Sequence, residues 1–235
     1  MISVSGLTVR YGGVTSLDGM DLTFEKGTCG LIGPNGAGKT TFFNVLSGFV
    51  RPASGTVRAF GSDLLAMAHY KRARWGVRRT FQTEQAISDL SVYDNVAMIH
   101  STLRGGARRA DVLSAIEFTG LEDPYAKVVS LTAGQRRLVE VARTLAGQPR
   151  LILLDEPAAG LPDEETAHLA SVIRAIPAQT GALTILVDHD MSLVSAVCET
   201  AAVLDFGKLI ASGPTAAVLR DENVMRAYLG TAEVS

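Results

Sequence analysis

The stretch GPNGAGKT, residues 33–40, constrains this chain more than any other, because such a loop works in only one structural setting. It fits G-x-x-x-x-G-K-[ST] and stands between TCGLI (28–32), apolar on both faces, and a helical pattern from about Lys39 to Gly48. A buried strand, a glycine loop and a helix in that order make a phosphate cradle of the α/β class. The glycines let backbone N–H groups converge on phosphate oxygens at a helix N-terminus that already favours anions. Lys39 is expected to reach the β/γ oxygens, and Thr40 to coordinate Mg²⁺.

LILLDEP (151–157) supplies the acids such a cradle needs. A buried strand that ends in Asp155 and Glu156 puts both at the C-terminal edge of a sheet, where α/β ligands bind. The period-2 alternation of a strand predicts that the two acids face opposite ways and do different work. Asp155 is expected to hold Mg²⁺ through its water shell, and Glu156 to orient or deprotonate an attacking water.

The remaining pattern fills in an α/β core. Ile2, Val4, Leu7 and Val9, then Leu22 and Phe24, keep approximate period-2 spacing and predict antiparallel strands; TVRAFG (56–61) predicts another. Between Ala86 and Gly147 the pattern is helical, with Ser91 and Asp94 as a capping signal and Val92, Val96, Ile99 and Leu103 on one face. RGGARR (104–109) reads as a flexible break. From Leu151 strands and helices alternate: a helix with Leu169, Val172, Ile173 and Ile176, the strand ALTILV, and a helix with Met191, Val194 and Cys198. Residues 201–213 read as a hairpin about Phe206–Gly207.

A chain of 235 residues, 47% hydrophobic and with net charge −2, can bury a substantial core and shows no bulk bias toward nucleic acid. The basic run KRARWGVRR (71–79) is expected to be a solvated helix face running into the strand of Gln82. Cys29 and Cys198 form no CxxC and are expected to be small buried hydrophobes of a reduced protein. No His/Cys pair has metal-ligand spacing; His69, His100 and His168 read as structural. The N-terminus lacks a secretory pattern, and no apolar run reaches the roughly 18 residues of a membrane helix, so a membrane role must come through a partner.

LTAGQRR (131–137) offers Thr132, Gly134 and Gln135 before a basic helix, with no lysine to meet phosphate: half a site. Placed directly upstream of LILLDEP, it completes an order of motifs that resembles the ATP-binding-cassette (ABC) ATPases over the whole chain. The resemblance implies a P-loop NTPase (RecA-like) core with an antiparallel β subdomain, over about 1–82 and 148–235, and an inserted α-helical subdomain over about 83–147, all in one nucleotide-binding domain of 1–235. It implies ATP and Mg²⁺ as the bound groups, with ATP held by Gly33, Pro34, Asn35, Gly36, Ala37, Gly38, Lys39, Thr40 and Thr41, and its adenine stacked on Tyr11. Glu156, His189 in LVDHD and Gln82 in RRTFQ are the implied catalytic residues, and Thr40, Gln82 and Asp155 the implied metal set. Thr132, Ala133, Gly134 and Gln135 are implied to meet the γ-phosphate of ATP on a second subunit, which would explain the half-site.

Two positions depart from the family pattern. Ala133 replaces a glycine, and Pro162 in DEPAAGLPD stands where an aspartate or asparagine is usual. RTFQ, AAGL, DHDMSLV and VMRAYLG look like the ATPases of branched-chain amino-acid importers, a group with urea or amide relatives and a likeness to lipopolysaccharide exporters. A short 103–112 segment leaves the cargo open. The implied partners are a second ABC ATPase subunit, transmembrane permease subunits contacting the helical segment, and a solute-binding protein. The implied place is the cytoplasmic face of the cell membrane, with no nucleic acid. The alternative class, a soluble ABC ATPase acting on ribosomes or DNA, usually carries a second cassette or long inserted arms, which this chain lacks.

Overall fold

A computed structural model describes residues 1–103 and 108–232. The N-terminal alternation builds β1 (Ile2–Tyr11) and β2 (Val14–Phe24), an antiparallel pair with Ile2, Val4, Leu7 and Val9 all buried. The odd step from residue 4 to residue 7 is absorbed by a register slip in the pair. β3 (Thr28–Ile32) is buried at every residue and leads through the glycine loop into α1 (Lys39–Ser47), which ends at Gly48 as its sequence suggests. β4 (Ser54–Ala59) and β5 (Ser62–Asp63) complete an antiparallel sheet of order β2-β1-β4-β5.

α2 (His69–Trp75) and β6 (Val77–Arg79) carry the basic run, and the expectation of a solvated face needs correcting for them. Lys71 and Arg74 are exposed, but Arg72 turns inward and donates to the carbonyls of Val45, Leu46 and Met67, covering the orphan acceptors at the end of α1. Arg78 is buried on the carbonyls of Ala146 and Ala73, and burial lowers its pKa to about 10. Three of the five basic residues of the run therefore serve the interior, since Arg79 does so as well.

The helical stretch resolves into α3 (Val92–Ser101), α4 (Arg109–Phe118) and α5 (Ala133–Thr144). Ser91 caps α3 by accepting the Asp94 N–H; Val92 and Val96 are buried, Ile99 and Leu103 partly so. Of the expected break RGGARR, residues 104–107 lie outside the described residues. β7 (Leu151–Asp155), α6 (Asp163–Thr180), β8 (Leu183–Val187), α7 (Met191–Val197), β9 (Thr200–Asp205) and β10 (Lys208–Pro214) follow, and the last two form the expected hairpin. α8 (Thr215–Val218) and α9 (Glu222–Ala232) end the described chain. No described helix is long and apolar enough to cross a membrane.

The second sheet has the order β10-β9-β3-β8-β7-β6, parallel except for the β10 edge. One core lies between the two sheets around Phe42 and Phe43 of α1; the other lies under α5, α6 and α7, around Leu138, Ile173 and Val194. Covered on both faces, β3, β7 and β8 are buried at every residue and mostly apolar, without alternation.

The cysteines yield a first prediction. Cys29 and Cys198 are buried, and desolvation lifts the Cys29 thiol to about 11 and the Cys198 thiol upward as well. At pH 8 a thiol-specific reagent should label neither residue until denaturant is added. Rapid stoichiometric labelling of the native protein would contradict this packing.

Candidate nucleotide site

Sheet order explains how distant segments meet. The strands β3, β8, β7 and β6 are successive neighbours, so their C-terminal ends line up. The glycine loop follows β3, His189 follows β8, Asp155 and Glu156 end and follow β7, and Gln82 follows β6. Glu156 thus stands between the two segments that carry its expected companions. Its Oε1 accepts from Gln82 Nε2 at 3.0 Å and lies 2.9 Å from His189 Nε2.

The loop itself demands glycine at two places. Gly33 has φ 148°, and a Cβ there would collide with the Leu204 carbonyl oxygen. Gly38 has φ 105°, and a Cβ would stand 2.6 Å from the Ser16 carbonyl oxygen. Lys39 is buried, its Nζ donating to Gly33 O at 2.6 Å and Pro34 O at 2.8 Å. Burial lowers its pKa, while the charges of Glu156 and Asp155 oppose the shift. Asn35, Gly36 and Thr40 are exposed, Ala37 is buried, and Thr41 Oγ1 lies 2.7 Å from Ser16 Oγ, tying α1 to β2. Tyr11, 47% exposed, sits on the same β1–β2 hairpin as Ser16.

Asp155 and Glu156 do diverge, but not by strand alternation. Glu156 has left β7, with φ 48° and its N–H on Val187 O at 2.7 Å. Left-handed backbone is uncommon for a residue with a Cβ, and here the turn aims the carboxylate between Gln82 and His189. Asp155 remains in the strand, buried. Its Oδ2 accepts from Arg79 at 2.8 Å, and its own N–H is held by Thr80 Oγ1 at 3.0 Å. Its Oδ1 is buried with no hydrogen-bond partner. Burial raises the Asp155 pKa against the opposing pull of Arg79.

Arg79, Thr80 and Asp188 are the site residues that sequence reasoning passed over. The first two lie within the quoted RRTFQ, a basic residue and a hydroxyl just before Gln82, and that was the available signal. Asp188 Oδ1 accepts the N–H groups of His189 at 2.8 Å and Asp190 at 3.0 Å, which sets the turn carrying His189. Asp190 then caps α7.

No group of three His, Cys, Asp or Glu side chains able to hold a metal occurs among the described residues. A magnesium ion bound together with phosphates needs fewer protein ligands, commonly one or two carboxylates and a hydroxyl. The partnerless Asp155 Oδ1 and the exposed Thr40 are chemically suited to that.

Thr132 and Gln135 close a reciprocal capping box at the start of α5, with Gln135 N–H on Thr132 Oγ1 at 3.2 Å and Thr132 N–H on Gln135 Oε1 at 3.0 Å. Ala133 takes the first helical position without disturbing the turn, and Gly134 donates its N–H to Glu165 Oε2 at 2.9 Å. Among the described residues, none of the side-chain hydrogen bonds of these four residues reaches the glycine loop.

Residues 17–159 match the family model described as ABC transporter, and with the loop, the paired acids and the fold they place this chain: it belongs to the ABC transporter family and is an ABC-type ATPase that binds nucleotide. Residues 208–234 also match a model described as branched-chain amino acid ATP-binding cassette transporter. The chain is 34% identical to the high-affinity branched-chain amino acid transport ATP-binding protein BraF of Pseudomonas aeruginosa, over 99% of this chain and 98% of the relative. The same figures hold for LivG of Escherichia coli, which has the same description. Among solved structures, the ADP conformation of MJ1267, an ATP-binding cassette of an ABC transporter, aligns with a TM-score of 0.88 at 25% identity over 98% of each chain. The expected class, a P-loop core with an antiparallel β subdomain and inserted helices, is the observed one.

Proposed function

We propose that this chain energises a membrane importer of amino-acid type, with branched-chain amino acids as cargo, and works as an ATP-sandwiched pair. The observation that carries the chemistry is Glu156 Oε1 shared by Gln82 and His189. A carboxylate held by two polar groups at the end of the sheet is placed to orient and deprotonate a water, while its two companions register the γ-phosphate. Lys39 and the backbone N–H groups of the loop bind the phosphates, and Tyr11 stacks the adenine. Thr40, Asp155 and Gln82 would hold Mg²⁺, which would neutralise phosphate charge. Arg79 keeps the Asp155 carboxylate in place.

The pair follows from the capped but lysine-free Thr132–Gln135 segment, suited to the γ-phosphate of ATP bound on the other chain. ATP turnover should therefore rise faster than linearly with protein concentration, because active sites form by association. A rate strictly proportional to concentration down to dilute monomer, checked by light scattering, would overturn the pairing.

Permease subunits hold the pair at the cytoplasmic face of the membrane, and a separate solute-binding protein delivers cargo. A cavity of about 320 Å³ suits permease docking, with Phe49, Tyr70, Phe81, Ile99, Gln85 and Glu140 in its wall. Gln85 N–H donates to Glu140 Oε1 at 2.6 Å, so pressure here bears on both the Gln82 segment and α5. Glu84 pairs with Arg136 of α5 at 3.1 Å and is a poor probe. Phe49 and Tyr70 are exposed and better ones. Phe49→Ala with Tyr70→Ala should leave ATP binding intact and lower uptake of radiolabelled leucine into proteoliposomes at least about tenfold, the effect of losing an interface anchor. Normal leucine uptake by the variant would move the docking surface elsewhere. Uptake of urea but not leucine by the wild-type complex would replace the cargo.

A further inference from the structure

The departure at Pro162 has a structural consequence at the start of α5. Of the signature residues, Thr132, Ala133 and Gln135 are exposed and Gly134 is buried. What covers it is Glu165, whose Oε2 accepts the Gly134 N–H at 2.9 Å. A Cβ on residue 134 would come within 2.7–2.8 Å of Glu165 side-chain atoms, so the carboxyl group packs directly on the glycine.

Glu165 is the third residue of α6. A glutamate at that position ordinarily turns back and accepts the N–H of the capping residue. Here the capping residue is Pro162, which has no N–H and makes no side-chain cap. Glu165 therefore lacks the reciprocal capping donor at its own helix start, and it reaches across to the neighbouring one.

We infer that Glu165 is a built-in competitor for the signature. Its carboxylate holds the Gly134 N–H in the single chain, and the γ-phosphate of ATP carried by a second chain must displace it. One N–H cannot serve both anions well, and two like charges at hydrogen-bond separation in a partly buried place repel. Pairing therefore requires the side chain to swing out, which raises the protein concentration at which the sandwich forms. Pro162 is the cause, because it leaves the carboxylate unclaimed. This inference rests on the ATP-sandwiched pair proposed above.

The test measures ATP-dependent pairing by light scattering over a protein concentration series, with Glu156→Gln in every chain to slow turnover. Adding Glu165→Gln removes the charge at nearly constant size. Adding Pro162→Ser instead restores both a backbone N–H and a capping hydroxyl. Each addition should lower the midpoint concentration for pairing about tenfold, with the melting temperature without ATP little changed. A midpoint unchanged or raised by Glu165→Gln overturns the competition and makes Glu165 a support of the signature. A midpoint moved by Glu165→Gln but not by Pro162→Ser overturns the role of Pro162. If ATP pairs neither the Glu156→Gln chain nor the variant with Glu165→Gln at any concentration, the sandwich reading fails and the inference goes with it.

Discussion

Replacing Glu156 by glutamine should lower ATP turnover at least about 10²-fold while ATP binding persists, the lower bound expected from removing a general base. The amide keeps the length and most of the shape of the side chain and can still accept from Gln82 or His189, which lie 3.0 and 2.9 Å from Oε1. What it loses is the basicity that draws a proton from water. Binding should survive because the groups proposed to hold phosphate, Lys39 and the loop N–H groups, lie on α1 and the segment before it. Turnover within a few-fold of wild type would remove Glu156 from this role and leave His189 or Gln82 to organise the water.

The second large effect is expected at Arg79. Its ion pair with Asp155 spans 2.8 Å, with side chains only 6% and 2% exposed. Arg79→Met leaves the Asp155 carboxylate buried without a cationic partner, which costs about 3–5 kcal/mol. For a chain of this size that is a fall of about 6–20 °C in melting temperature. The pH dependence has a definite sign. Burial already raises the Asp155 pKa, and losing Arg79 raises it further. The folded variant then binds a proton that the unfolded chain releases at lower pH, so its stability falls as pH rises from the unfolded carboxylate pKa toward the raised folded one. Urea midpoints should accordingly show a larger deficit at pH 8 than at pH 5. Adding Asp155→Asn should recover most of the loss, because the uncompensated charge is gone. A single variant within about 1 kcal/mol of wild type, or a deficit that grows toward acid, would show that the pair does not carry this strain.

The parts of the site legible in sequence share one property: each is set within a few consecutive residues. The glycine loop needs left-handed backbone at Gly33 and Gly38 and a helix directly after it, and both demands are written in eight residues. The capping box from Thr132 to Gln135 and the cap of Asp94 by Ser91 are equally local. Glu156 stands at the sheet edge, as LILLDEP implies, but it diverges from Asp155 for a different reason. Strand alternation suggested its divergence from Asp155, whereas a left-handed residue just beyond the strand produces it. The basic run misled for a related reason: composition marks arginine as solvated, but Arg72 and Arg78 find carbonyls at helix ends that no local pattern reveals.

The sequence alone determined the buried strands, the phosphate loop, the acids after LILL and the helix caps, because backbone sterics and burial act on neighbours in the chain. Tertiary structure decided which of these meet. Gln82 and Glu156 are 74 residues apart, Arg79 and Asp155 76, His189 and Glu156 33, and Gly134 and Glu165 31. The first three contacts join the ends of β6, β7 and β8, which lie side by side, while β3, distant in sequence, adjoins β8 and brings the glycine loop to the same edge. Strands buried on both faces lose the alternation that marks a single covered face, so nothing in their pattern says which strand lies beside which. The contact of Glu165 with Gly134 depends on two helix starts coming together, and on a proline that withholds the N–H a local partner would have offered.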